Sequence, residues 1–141
     1  MIEKCSNIKN KSLSTLEPEI ELYKILVDIF GKKDVKKQYT DTRYPYSCDF
    51  YIKSIDLFIE FQYHWSHGGH RFDSGCIEDL KKSISWKNSE LDSYKKSYIV
   101  WTIEDIEKRK CALDNNLNYL EIWKFFDKED VSNQINKVLK V

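Results

Sequence analysis

Asp49 and Glu60 lie in two short apolar stretches, Ser47-Cys-Asp-Phe-Tyr-Ile52 and Leu57-Phe-Ile-Glu-Phe-Gln62, which read as the arms of one hairpin. A symmetric two- or four-residue loop around Lys53 to Asp56 pairs Ile52 with Leu57 and sets Asp49 opposite Glu60. Like charges facing each other across a sheet destabilise it. At ~5 Å and an effective dielectric of ~20 the repulsion is about 3 kcal/mol. A divalent cation between the carboxylates turns that penalty into a binding site. Carboxylate oxygens are natural ligands for Mg²⁺, and a bound metal polarises a phosphate and lowers the pKa of an attacking water. The bland alternative leaves Asp49 at a strand edge and Glu60 in solvent.

Directly afterwards comes Tyr63-His-Trp-Ser-His-Gly-Gly-His70, which holds all three histidines of the chain, with Asp73 and Cys76 following. An imidazole beside a metal can serve as general base, or as acid for a leaving oxygen. The same residues admit a zinc site built from two or three histidines with Cys76, although the second half of such a site is not visible. They also admit a wet polar loop with no role. Trp65 either packs in the core or stacks on a base or wedges into a duplex, whereas Tyr63 is assigned to the core.

The elements that must position these groups follow from periodicity and caps. Residues 1–13 are polar and read as a flexible arm, and Ser14-Thr-Leu-Glu17 fits a capping box that opens the first helix. Pro18 suits its first turn, and Gly31 stops it. Val35 to Tyr39 reads as a strand ahead of the hairpin. Glu60 and Gln62 share one face of the second arm. Ile77 to Lys96 suits a long amphipathic helix with Leu80, Ile84 and Leu91 in the core. Tyr98-Ile-Val-Trp101 reads as a buried strand, Thr102 as the cap of a helix to Leu113, Leu117 to Trp123 as a strand and Val131 to Leu139 as a closing helix. The order α-β-β-β-α-β-α-β-α describes an α/β fold, a single layered domain over 14–141 with a central mixed β-sheet flanked by helices.

With 141 residues, 41% apolar and 14% aromatic, the chain can bury a real core. Its net charge is zero, so nothing basic in the balance advertises nucleic acid, although Lys32-Lys33, Lys36-Lys37, Lys81-Lys82 and Lys95-Lys96 form local pairs. Four cysteines are scattered without a CxxC pair, and neither a signal peptide nor a membrane span is visible. A cytoplasmic setting with reduced thiols is the expectation.

Cys-Asp-Phe-Tyr-Ile followed by Leu-Phe-Ile-Glu-Phe-Gln-Tyr-His-Trp-Ser-His-Gly resembles the central hairpin of the PD-(D/E)xK, or restriction-endonuclease-like, nuclease superfamily. More narrowly it is similar to the branch of very-short-patch-repair endonucleases and phage or intron EDxHD homing endonucleases. The similarity covers roughly residues 14–123, and the order and spacing of motifs carry it. It implies that Glu17 is the helix glutamate, with Glu19 and Glu21 as competitors. Asp49 takes the metal-binding aspartate and Glu60 the second-strand acid. Gln62 stands where the superfamily often has lysine, and His67 matches the histidine after the tryptophan. Asp73 is the candidate late aspartate, with Asp79 as its rival. The implied protein is an Mg²⁺- (or Mn²⁺-) dependent endodeoxyribonuclease of a bacterial or phage-infected cell. Asp49 and Glu60 hold the metal, and Trp65, Arg71, His64 and His70 touch DNA. Specificity would come from a homodimer or a partner protein. The alternatives are an inactive nuclease-fold DNA-binding or interaction module and a zinc-stabilised protein of other function.

Overall fold

The computed structural model describes residues 7–139, with side chains from residue 17 onward. Its architecture is α/β, with a mixed sheet flanked by helices, as expected. Helix α1 runs Asn7–Phe30, and Gly31 ends it at φ 92° with its amide on the Val27 carbonyl, 2.7 Å away. The expected arm therefore needs correction. Residues 7–13 are helical, Ser14 lies within the helix rather than capping it, and residues 1–6 fall outside the described chain. No Gly or Pro interrupts 7–17, so nothing in the backbone stops the helix early, and Pro18 sits in its interior.

Strands β1 (Val35–Asp41), β2 (Tyr44–Ile52), β3 (Leu57–Phe61) and β4 (Asn118–Ile122) form one sheet in the order β1-β2-β3-β4. β2 and β3 are antiparallel in the register Ile52↔Leu57, Tyr51↔Phe58, Phe50↔Ile59. The loop is a short 3₁₀ turn, Lys53–Ile55, closed by Asp56 in the left-handed region. β3 and β4 are parallel, with Glu60 beside Glu121.

The described chain falls into two compact units, one of residues up to Tyr39, Cys48–Tyr63 and from Asn118, the other of Thr40–Ser47 and His64–Leu117. The first unit has an aliphatic core. Leu22 and Leu26 of α1, Phe50, Ile52, Leu57, Ile59, Leu120 and Ile122 of the sheet, and Val131 and Ile135 of α5 (Lys128–Val138) pack together. Fully burying each such side chain contributes about 1.5–3 kcal/mol. Asp127 caps α5 through the Asp130 amide at 2.9 Å. Tyr63, expected in the core, is 49% exposed.

The second unit departs most from expectation. The long helix is two, α2 (Ile77–Lys87) and α3 (Asp92–Ile99), and what α2 buries is Asp79, Ser83 and Trp86. Leu80 and Ile84 are exposed because the inward side of α2 carries Asp79, Ser83 and Trp86, and Leu91, just ahead of α3, is exposed as well. The expected strand at 98–101 and the cap at Thr102 are both helical. α3 passes through a π-helical turn, Val100–Glu104, straight into α4 (Asp105–Asp114). A four-residue apolar run cannot by itself distinguish a buried strand from a buried helix segment. Among the described residues no helix is long and apolar enough to cross a membrane.

Candidate functional site

In the first unit the ladder between β2 and β3 gives way at Asp49 and Glu60 to side-chain contacts. Asp49 Oδ2 accepts the Phe61 amide at 2.8 Å, and Glu60 Oε1 lies 3.4 Å from the Asp49 amide. Each carboxylate is thus fixed by the other strand's backbone. Glu60 is buried, at 3% exposure, and Asp49 is half-buried. Cys48 lies among these acids. Burial first, then the charges of Glu60 and Asp49, push its thiol far above the ordinary range, so it is no nucleophile.

Of the helix acids, Glu19 is the half-buried one. Burial and then the Asp49 charge raise its carboxyl above the ordinary value, while Lys37 draws it the other way. Glu17 and Glu21 are exposed on α1. Gln62 is buried, and its amide extends the pairing to the Ile122 carbonyl at 2.8 Å. Glu121, which the sequence reading passed over, lies in register with Glu60 on β4 and accepts the Tyr119 hydroxyl at 3.0 Å. Its apolar-Glu-apolar setting repeats that of Glu60 and was the available signal.

In the second unit the histidine segment is a loop held from several sides. A 3₁₀ turn, Trp65–His67, ends at Gly68 with φ 79°. A Cβ on Gly68 would fall within the indole of the fully buried Trp101, so only glycine allows that approach. Trp101 Nε1 donates to the His70 carbonyl at 2.7 Å, and Lys82 Nζ to the Gly68 carbonyl at 3.1 Å.

His67 Nδ1 lies 2.7 Å from Asp105 Oδ2, with Asp105 at 1% exposure. A buried carboxylate accepts, so Nδ1 carries the proton and Nε2 is the atom that can take one up. Asp105 Oδ1 is buried without a hydrogen-bond partner among the described residues. Such an oxygen is costly, so Asp105 is held beside His67 against its own desolvation. Sequence reading missed Asp105 because Ile103-Glu-Asp-Ile106 looked like a helix opening, where acids are commonplace. His67 and Asp105 are 38 residues apart.

Asp73, expected to orient His67 or a metal-bound water, is turned to its own loop, where Oδ1 accepts the Gly75 amide at 2.8 Å. Its rival Asp79 is buried and bonds His70 Nε2 at 2.8 and 3.0 Å and the Asp73 amide at 2.9 Å. His64 is exposed. Its Nδ1 accepts the Ser66 amide, and burial followed by the His67 charge lowers its pKa. Trp65 stays 45% exposed, with its ring 5.1 Å from Tyr94 and edge-on to Trp86 at 5.6 Å. Arg71 is exposed.

Among the described residues no group of three or more His, Cys, Asp or Glu is gathered as a metal cage. Asp49 and Glu60 are the all-oxygen pair that suits a hard cation retaining most of its water. His67 and His70 are engaged by carboxylates rather than by Cys76, a free thiol. No model of a known protein family matches the chain, and no curated protein or solved structure matches it either.

Proposed function

We propose that this chain is an endonuclease hydrolysing DNA phosphodiester bonds with Mg²⁺ or Mn²⁺. The observation that carries the reading is the Asp49–Glu60 pair, two carboxylates each anchored by the other strand's backbone, with the half-buried Glu19 of α1 feeling the Asp49 charge. Asp49 and Glu60 would hold the cation, which when bound polarises the phosphate and acidifies a water. His67 moves the proton through Nε2, and Asp105 fixes its tautomer and offsets the imidazolium charge. Trp65, His64, His70 and Arg71 lie exposed along the histidine loop as contacts to DNA. The reading implies the cytoplasm of a bacterial or phage-infected cell, with a second copy or a partner protein supplying specificity.

Cleavage of supercoiled plasmid in Mg²⁺ or Mn²⁺ tests this. Asp49→Ala and His67→Gln should each reduce cleavage by about 10²–10⁴-fold, and Asp105→Asn by a similar order. A folded wild type that cuts no DNA in any form sinks the enzyme reading.

A second reading is a DNA-binding module without catalysis. It is favoured by the backbone amides that Asp49 Oδ2 and Glu60 Oε1 face, since such partners give each carboxylate a structural role as well. Duplex binding without cleavage, unchanged in His67→Gln, selects it.

A further inference from the structure

Four lysines, Lys32, Lys33, Lys36 and Lys37, fall within six residues after the end of α1, with Asp34 as the only acid among them. Lys32–Asp34 is a 3₁₀ turn, and so is Lys53–Ile55 at the tip of the β2–β3 hairpin. Asp34 ties the two turns together. Its Oδ1 accepts the Ser54 amide at 2.7 Å, and its Oδ2 accepts the Ser54 hydroxyl. The one acid is thereby committed to the fold, and Lys53 joins Lys32 and Lys33 on a single ledge. All three are exposed, as is Lys36 at the start of β1, while Lys37 is held over the Tyr23 ring. Among the described residues Lys32, Lys33, Lys36 and Lys53 make no ion pair, whereas Lys110 pairs with Asp114 and Lys128 with Asp28.

We infer that this ledge docks the sugar-phosphate backbone of duplex DNA, a positioning contact set apart from the carboxylates. The inference rests on the endonuclease reading above and adds a second surface to it. Like charges held together repel, and a polyanion relieves that repulsion. The chain carries no net charge, so the ledge is a local concentration and not part of a general basic balance. A membrane or an amphipathic partner also needs apolar anchors. Among the described residues no large apolar side chain is exposed between 31 and 56. Bare ammonium groups on a fixed ledge suit repeating phosphates, which they hold without reading bases. Lys53 lies four residues beyond Asp49, about 13 Å away at ~3.3 Å per extended residue. That distance spans about four base steps at ~3.4 Å of rise, so the ledge grips the duplex to one side of the cleaved bond.

The bland account is a pair of solvated turns whose lysines touch nothing. Metal-free binding of a short fluorescent duplex across a salt series, with plasmid cleavage in Mn²⁺ alongside, separates the accounts. Lys32→Ala/Lys33→Ala/Lys53→Ala should melt no earlier than wild type and lower the salt slope by about two to three. It should raise KM about tenfold while kcat stays within about threefold, the mark of lost uniform binding. Arginine at the same three positions should restore the slope, because the contact needs charge and not a particular shape. Lys95→Ala/Lys96→Ala, exposed on α3, should leave the slope as it is. An unchanged slope in the alanine triple overturns the ledge, and so does an equal loss per charge in the α3 pair. A triple that loses kcat and keeps its KM also overturns it. Wild type that holds anionic phospholipid vesicles in preference to duplex would assign the ledge to a membrane surface instead. If wild type cuts nothing, the endonuclease reading fails and the slope alone decides the ledge. A slope lower by about two to three retains it, and an unchanged slope or no duplex binding overturns it.

Discussion

The two units place their reactive groups by opposite means. In the first, Asp49 and Glu60 sit at the end of a β-ladder whose register is fixed by aliphatic residues on alternate positions. In the second, the histidines lie on a segment with no ladder. It is held by one indole, one lysine and two buried carboxylates. A ladder shares its work among many residues. A tethered loop concentrates it in a few, and those few should be the more sensitive to substitution.

The contrast breaks most readily at Trp101. Trp101→Ala should cost about 4 kcal/mol in chemical denaturation, and Gly68→Ala, which pushes a methyl into that indole, about 3 kcal/mol. Both should release amide protection across residues 64–73 well before residues 57–61. Protection lost equally in both segments would contradict the idea of separate supports.

Next is Asp79→Asn, which weakens the hold on His70 and the Asp73 amide and should cost about 2 kcal/mol at neutral pH. Burial opposes the Asp79 charge, but the Asp73 amide, His70 and Lys82 outweigh it and hold the carboxyl below its ordinary value. Its stabilisation is therefore present above the unfolded carboxyl range and is lost as pH falls through the lower folded value. Asp79→Asn should flatten that acid limb in a pH series of melts, and an unaltered limb counts against the assignment.

Glu19 has the opposite sign. Its carboxyl is raised, so its ionisation weighs on the fold as pH climbs through and above the ordinary carboxylate range. Glu19→Gln should raise neutral-pH stability modestly and leave acid stability alone. A neutral-pH loss would mean that attraction, and not burial and the Asp49 charge, governs Glu19. The smallest effect belongs to Leu80→Ser, within about 0.5 kcal/mol because the side chain is exposed. A loss near 2 kcal/mol would restore the core role that helical spacing suggests.

Legibility in the sequence follows the same division. The register of the hairpin was readable, because a symmetric four-residue connection pairs Ile52 with Leu57, although β2 starts at Tyr44 rather than Ser47 and β3 ends at Phe61. The acids of the first unit came with it, apart from the choice of Glu19 over Glu17 and the pairing of Glu121 with Glu60. The second unit was misread because its helices bury the residues that composition would place outside. Asp79 and Asp105 are inside, while Leu80, Ile84 and Leu91 are out. Partners such as Asp105 for His67 are set by tertiary packing, and local pattern holds no trace of a contact across 38 residues.

The π-helical turn Val100–Glu104 carries a consequence for how this region tolerates change. It puts the helix before it and the helix after it out of phase, and in that phase Trp101 and Asp105 both face the histidine loop. An α-helix advances about 100° per residue. Deleting a single residue there, such as Thr102, would restore regular winding and leave the two grips three residues apart, still on one face but about 1.5 Å closer along the axis. The two grips are spaced along the axis like teeth on a rack, and a deletion within 100–105 mismatches that spacing to His70 and His67.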